Sequence, residues 1–198
     1  WKPDADGGCE GLCPKVNVAL GLAAPPDGVT NPAGALVLVG GQGPSGPLDD
    51  IWRYEEQATW NPPPSVAPGA IGPWPSGWRL IGTLPGAGEG LTDAGRMQVG
   101  KTLWLVGGRS AAGPTMGVVR VDLEKGTAER IASAGGTMPA ARVNPAVTYD
   151  TAFRRLVVFG GVDAAGRGLT DLWAFDIVTA TWSMLATECR GDGCPQAT

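Results

Sequence analysis

Three copies of one short pattern constrain the fold of this chain more than any other feature. An apolar run ends in a glycine pair at residues 36–41, 103–108 and 156–161, where the sequences are LVLVGG, LWLVGG and LVVFGG. One such run would carry little information, but three copies indicate an internal repeat. Because glycine permits a tight bend and close approach of other backbone, each run predicts a strand that ends at its glycine pair.

A second predicted strand follows each glycine pair after a glycine-rich loop, which covers residues 42–49 in the first repeat. This strand contains Trp52 and Tyr54 in the first repeat and Trp173 and Phe175 in the third. Side chains two residues apart share one face of a strand, so these aromatic pairs can fill the space between neighbouring sheets. The middle repeat is degenerate and has valines in both places.

Two further strands complete each repeat. Trp78 and Trp182 mark a closing strand in the first and third repeats, and residues 144–149 form a strand ahead of the third glycine pair. Trp60 is a second candidate for the closing position, but the three prolines after it cannot continue a ladder of hydrogen bonds, so we prefer Trp78. The chain is therefore predicted to be all-β, with strands a, b, c and d recurring in four-stranded antiparallel meanders.

This pattern resembles the kelch repeat, as found in blades like those of the central domain of galactose oxidase. The shared features are Pro-x-x-Arg at residues 139–142, the strand ending in two glycines, the aromatic strand and the closing tryptophan. The resemblance implies a β-propeller, in which four-stranded blades surround an axis. It assigns structural roles to Gly40, Gly41, Trp52, Trp78, Gly107, Gly108, Gly160, Gly161, Trp173 and Trp182.

The repeat divides the chain, 1–198, into one propeller segment of about three blades with partial blades at both ends. Since propellers close with about 4 to 8 blades, we expect an incomplete ring that needs a protein partner or further blades of the same polypeptide. The predicted divisions are the end of a preceding blade with a cysteine loop at 1–14, a blade at 15–83 with insertions at 22–34 and 57–77, a degenerate blade at 84–134, the best-matching blade at 135–187, and a cysteine loop leading to a further blade at 188–198.

Composition argues against several classes of function. The net charge is −4 and no basic cluster is longer than the pair at residues 154–155, so no nucleic-acid partner is expected. No apolar stretch approaches the roughly 18 residues needed to span a membrane. The chain lacks histidine, the commonest general base and metal ligand, so we expect no catalytic residue, metal or cofactor.

Four cysteines form two short loops, Cys9 with Cys13 and Cys189 with Cys194. Their spacings do not match the usual pairs of a zinc site. We favour two local disulfides, while the other two pairings would link the ends of the segment. Disulfides indicate an oxidising compartment, so we expect the protein to be secreted, periplasmic or at the cell surface.

The sequence favours a non-catalytic binding or scaffolding module, because loops on a rigid scaffold commonly carry binding functions. Candidate contact residues are Arg109 and Arg167 in loops between strands b and c, and Trp74, which lies between Pro73 and Pro75 in the second insertion. The ligand would be protein, with glycan as an alternative. Two other functions stay open: a structural subunit of a larger assembly, and the propeller of a galactose-oxidase-like enzyme with its catalytic residues outside this segment.

Overall fold

The computed structural model describes residues 19–23, 35–43, 45–55, 77–86 and 90–187. Within these ranges the chain forms strands and no helix. The strands are β1 (Ala19–Ala23), β2 (Ala35–Gly43), β3 (Gly46–Glu55), β4 (Gly77–Thr83), β5 (Gly95–Val99), β6 (Thr102–Val106), β7 (Arg109–Ser110), β8 (Gly113–Pro114), β9 (Val118–Asp122), β10 (Ala128–Ile131), β11 (Ala146–Asp150), β12 (Arg155–Phe159), β13 (Leu172–Asp176) and β14 (Thr181–Ala186).

Three four-stranded antiparallel sheets follow one another along the chain. Their orders are β1-β2-β3-β4, β5-β6-β9-β10 and β11-β12-β13-β14, and the small β7-β8 hairpin is inserted between strands b and c of the second sheet. The predicted all-β class and the a–b–c–d meanders are therefore confirmed. Strands β5 and β11 contact each other, so the second and third sheets meet along their first strands, and the described sheets do not close into a ring.

The second sheet packs against both neighbours because its central strands are apolar on both faces. Leu103 and Leu105 of β6 join a buried cluster with Val37 and Val39 of the first sheet. Their neighbour Trp104 points to the other face and packs in a second cluster with residues of the third sheet. A strand buried on both sides has a continuous apolar sequence, as β6 does.

The second cluster contains the aromatic pair predicted to fill the space between sheets. Trp173 and Phe175 of β13 are 3% and 0% exposed, and they pack with Trp104 and Val106 of the second sheet. Phe175 lies opposite Trp182 of β14, and their ring centroids are 4.9 Å apart. The closing tryptophan therefore extends the same aromatic layer to the last strand of the sheet.

Every glycine of the three pairs has a positive φ, which an L side chain rarely adopts. At the second glycine of the middle pair, Gly108, φ is 95° and an added Cβ would lie 2.7 Å from the carbonyl oxygen of Thr92. The φ values are 62° at Gly40, 123° at Gly41, 66° at Gly107, 95° at Gly108, 61° at Gly160 and 95° at Gly161. Both conformation and close packing thus require glycine at Gly108.

The loop predicted at residues 42–49 is wrong, because the chain forms a hairpin there. Strand β2 continues through Gly43, β3 begins at Gly46, and Gln42 pairs with Pro47. A register shift between Val39 and Gly41 absorbs the bend at the glycine pair. The prediction failed because glycines and prolines indicate a turn, but they do not show how far the ladder continues beyond a bulge.

The two predicted insertions lie mostly outside the described residues. Strand β1 includes residues 22 and 23, and β4 begins at residue 77, where it contains Trp78 opposite Tyr54. The competing closing position, Trp60, is outside the described residues. In the part of the chain that the structure describes, no helix has the length and apolarity required to cross a membrane.

We predict that Gly108→Ala destabilises the fold more than Gly113→Ala does. Gly113 also has a positive φ, 114°, but nothing lies within 4 Å of an added Cβ, so its alanine variant reports the backbone strain alone, about 1–2 kcal/mol. The clash of Gly108→Ala with Thr92 and Ala94 should add about 1–3 kcal/mol. Urea unfolding of both variants measures the difference, and equal losses would show that close packing at Gly108 is unimportant.

Candidate functional site

Each of the first two glycine pairs holds the segment that leads into the next sheet. The N–H of Gly41 donates to the carbonyl of Leu91 at 2.9 Å, and the N–H of Gly108 donates to the carbonyl of Arg142 at 2.8 Å. Leu91 also donates its N–H to the carbonyl of Leu48 in β3, and Arg142 donates its N–H to the carbonyl of Thr115, between β8 and β9. The two seams between sheets therefore use the same backbone hydrogen bonds, and Leu91 is the equivalent of Arg142.

The side chain of Arg142 is fully buried at the second seam. Its Nη1 and Nη2 donate to the two carboxylate oxygens of Asp171 at 2.6 and 2.7 Å. Nη1 also donates to the carbonyl of Gly160 at 2.9 Å, and Nε donates to the carbonyl of Ala140 at 3.0 Å. Trp173 Nε1 donates to Asp171 at 2.7 Å. We call Arg142, Asp171 and Trp173 the Arg142 network.

The Arg142 network keeps its carboxylate ionised. Burial raises the pKa of Asp171, but the hydrogen bonds from Arg142 and Trp173 and the charge of Arg142 outweigh it, so the pKa lies below its ordinary 3.8. The ionised form therefore stabilises the fold above pH 3.8, and this contribution is lost as the pH falls through the lower folded pKa.

The second sheet replaces all three members of the Arg142 network. Its register places Gly117 where the third sheet has Asp171, and Val119 where the third sheet has Trp173. Leu91 occupies the arginine position and is 8% exposed. A buried ion pair can be exchanged for apolar groups without loss of stability only when both charges leave together. The second sheet has neither charge at the equivalent positions.

The first sheet keeps two members of the set. Trp52 Nε1 donates to a carboxylate oxygen of Asp50, the equivalent of the bond between Trp173 and Asp171. At the position before β1 that corresponds to Arg142 the sequence has Lys15, which lies outside the described residues. Asp50 and Asp171 thus each accept a hydrogen bond from the indole two residues further along the chain.

Other aspartates cap turns at the ends of strands. Hydrogen bonds from the backbone N–H groups of Lys125 and Thr179 lower the pKa values of Asp122 and Asp176, respectively. Both residues end strand c and hold the turn into strand d, a normal role for an aspartate carboxylate. No group of three or more His, Cys, Asp or Glu residues that could hold a metal ion occurs within the described ranges.

One face of the third sheet has no sheet packed against it among the described residues. Its apolar positions include Val157, Phe159 and Leu172, which are half-buried and which we call the open face; Ala174, opposite Val157 on the same face, is 1% exposed. The register makes Val106 the equivalent of Phe159 and Val118 the equivalent of Leu172. Those two valines are 0% and 2% exposed, because the third sheet covers them.

Among the residues that the structure describes, the third glycine pair does not make the bond that marks the other two seams. Gly161 has the same φ as Gly108, and its carbonyl accepts an N–H from its b–c connection as that of Gly108 does. Its own N–H, however, has no acceptor among the residues that the structure describes. At the first two seams, the preceding sheet contributes an apolar face and donates a glycine N–H to the following sheet. The open face and the glycine pair of the third sheet match this preceding side of a seam.

The two candidate contact arginines lie on separate connections between strands b and c. Arg109, in β7, lies 3.9 Å from the carboxylate of Asp93, and both side chains are partly exposed. Arg167 lies 2.8 Å from Asp163 and is 80% exposed. Each arginine thus faces an acidic neighbour. The other candidates, Trp74 with Pro73 and Pro75, and Cys9, Cys13, Cys189 and Cys194, lie outside the described residues.

A cavity of about 280 Å³ lies at the seam between the second and third sheets. Its walls include Met116, Arg130, Ile131, Met138 and Trp182. Only Trp182 was singled out from the sequence, because the other residues come from separate segments with no common motif. The equivalence of Leu91 and Arg142 was also missed, since it depends on strand register.

Comparison with known proteins finds one family match, within the third sheet. The family model described as the Kelch motif matches residues 154–187, which contain β12, β13 and β14. No curated protein matches the chain.

We predict that Arg142→Leu costs about 3–5 kcal/mol of the free energy of unfolding, because it leaves the Asp171 carboxylate without its buried partner. The matched control is Arg155→Leu, whose partner Asp150 lies 3.0 Å away in a partly exposed pair; it should cost less than about 1 kcal/mol. The double variant Arg142→Leu/Asp171→Gly, which copies the second sheet, should lose less than the sum of its single variants. Additive losses in urea unfolding would refute the proposed coupling.

Proposed function

Because the chain is made of kelch-type propeller blades, we propose that it is a non-catalytic binding and scaffolding module. Kelch blades generally mediate binding between proteins. The observation that carries the proposal is the open face of the third blade, which presents Val157, Phe159 and Leu172 at the positions that bury against a following blade elsewhere in the chain. This face requires an apolar partner.

The partner that fits this face is a further four-stranded blade, supplied by the same polypeptide or by another protein. The first two seams show what such a blade contributes: leucines, valines or aromatic residues facing the preceding blade, and a carbonyl that accepts the N–H of the second glycine. The N–H of Gly161 offers that same bond. Apolar burial and this backbone bond together define the chemistry of the contact.

Loops supply a second set of contacts in this proposal. Arg109 and Arg167 project from b–c connections and are exposed, so they can reach a polar or acidic surface of the partner while their own aspartates hold them in place. Trp74, stiffened by Pro73 and Pro75, adds an aromatic contact, since prolines lower the entropy lost on docking. A glycan could use the same aromatic residue and is the alternative ligand.

We predict that the isolated chain associates through the open face. Sedimentation velocity should show larger species as concentration rises, because an uncovered apolar sheet face favours self-association. Phe159→Glu should prevent this by placing a charge in the face. The matched control Val178→Glu changes an apolar residue that is 65% exposed in the c–d turn of the same blade, and it should behave as the wild type does. A stable, monodisperse monomer would contradict the proposal.

We also propose that the protein works in an oxidising compartment: secreted, periplasmic or at the cell surface. The support is the pair of cysteine loops, each with its two cysteines a few residues apart.

Peptide mapping by mass spectrometry without reduction should recover Cys9 linked to Cys13 and Cys189 linked to Cys194. Reduction should change the unfolding free energy little, because closing such short loops removes less chain entropy than closing long ones. Free thiols in protein purified from its native source, or a link between the two cysteine loops, would contradict this assignment.

A further inference from the structure

The cavity between the second and third blades has apolar walls and an exposed edge. Met116, Val118 and Trp182 are 7%, 2% and 6% exposed and form buried walls, while Met138 is 47% exposed. Ser133, which is half-buried, also lines the cavity. The segment that leaves strand d of the second blade therefore contributes only a small polar side chain at this point.

Strand register identifies the residue of the first blade that corresponds to Ser133. Ile131 of the second blade and Gly82 of the first are equivalent, because they pair with the same position of strand c. Ser133 follows Ile131 by two residues, and Leu84 follows Gly82 by two residues. The second blade thus has a serine where the first has a leucine.

At the first seam, Leu84 fills the position that this comparison identifies. It is 4% exposed and belongs to the apolar cluster between the first and second blades. Its N–H donates to the carbonyl of Asp49 at 2.6 Å. Ser133 makes no such bond to Met116, the counterpart of Asp49, and no backbone N–H among the described residues donates to that carbonyl. The second seam therefore offers apolar walls and a backbone acceptor without the leucine.

We propose that this cavity binds the leucine side chain of an extended peptide segment from a partner protein. The side chain packs against Trp182 and the methionines, and the leucine N–H donates to the carbonyl of Met116, as Leu84 donates to its acceptor at the first seam. Methionine side chains adapt to different apolar shapes, and burial of the leucine supplies the driving force. Arg130 already has an interaction and takes no part in this contact.

The size of the cavity suits one such side chain. About 280 Å³ lies just below the roughly 300–1,000 Å³ of sites that hold drug-sized ligands. This contact goes beyond the proposed function, because the open-face residues Val157, Phe159 and Leu172 do not line the cavity. Failure of binding at the cavity would therefore leave association through the open face standing.

The test is titration of the 198-residue chain with the capped peptide acetyl-GTLPG-amide, which copies residues 82–86. Binding is followed by nuclear magnetic resonance at the indole N–H of Trp182, assigned by comparison with Trp182→Phe. The peptide should shift this resonance. Alanine in place of its leucine should weaken binding by about tenfold or more, because less apolar surface is buried. Methylation of the leucine nitrogen should weaken binding by about three- to tenfold, because the hydrogen-bond donor is removed.

Two variants and a control locate the peptide in the cavity. Met138→Glu places a charge at the apolar edge and should weaken binding by about tenfold or more. The matched control Met184→Glu changes a methionine that is 46% exposed and does not line the cavity, so it should bind as the wild type does. Ser133→Leu supplies the leucine of the first blade and should prevent binding by filling the cavity from within. Urea unfolding checks that each variant is folded.

Several results would overturn the inference. They are equal binding of the leucine and alanine peptides, equal effects of Met138→Glu and Met184→Glu, unaltered binding to Ser133→Leu, and no shift at Trp182. Unaltered binding of the N-methylated peptide would show that the cavity accepts an apolar group without the backbone bond, and would overturn the assignment to a peptide segment.

Discussion

The buried guanidinium of Arg142 is the constraint on which the join between the second and third blades depends. Its backbone bonds to the second blade and its side chain bonds to the third, so one residue connects both sides of the seam. A buried charge without a partner is costly, and Asp171 supplies the partner in a two-pronged pair. Because the carbonyl of Gly160 and the indole of Trp173 complete the set, the ends of three strands are held in one geometry.

The seam between the first and second blades has the same backbone hydrogen bonds, but an apolar leucine stands where the second seam has the buried arginine. Leu91 makes the equivalent backbone bonds, and its side chain joins the apolar cluster between the first and second blades. The backbone hydrogen bonds to the glycine pairs are thus the common element, and the side chains around them vary. This separation explains how the second blade can have glycine and valine where the third has aspartate and tryptophan.

The proposed function follows from a face of the third blade that no other described sheet covers. The open face of the third blade has the composition of a buried seam, which favours another blade as its partner and gives the proposed scaffolding role its physical basis.

The sequence by itself determined the all-β class, the four-stranded repeat and the positions of the glycine pairs, because short apolar runs and paired glycines act locally along the chain. It also indicated that Trp173 and Phe175 share a face. Only the tertiary structure decided that Arg142 pairs with Asp171, that Leu91 is its equivalent, and that Arg130 meets Trp182 at one cavity. These contacts join residues from different strands and blades, so they depend on strand register and on the packing of one sheet against the next, which no local pattern encodes.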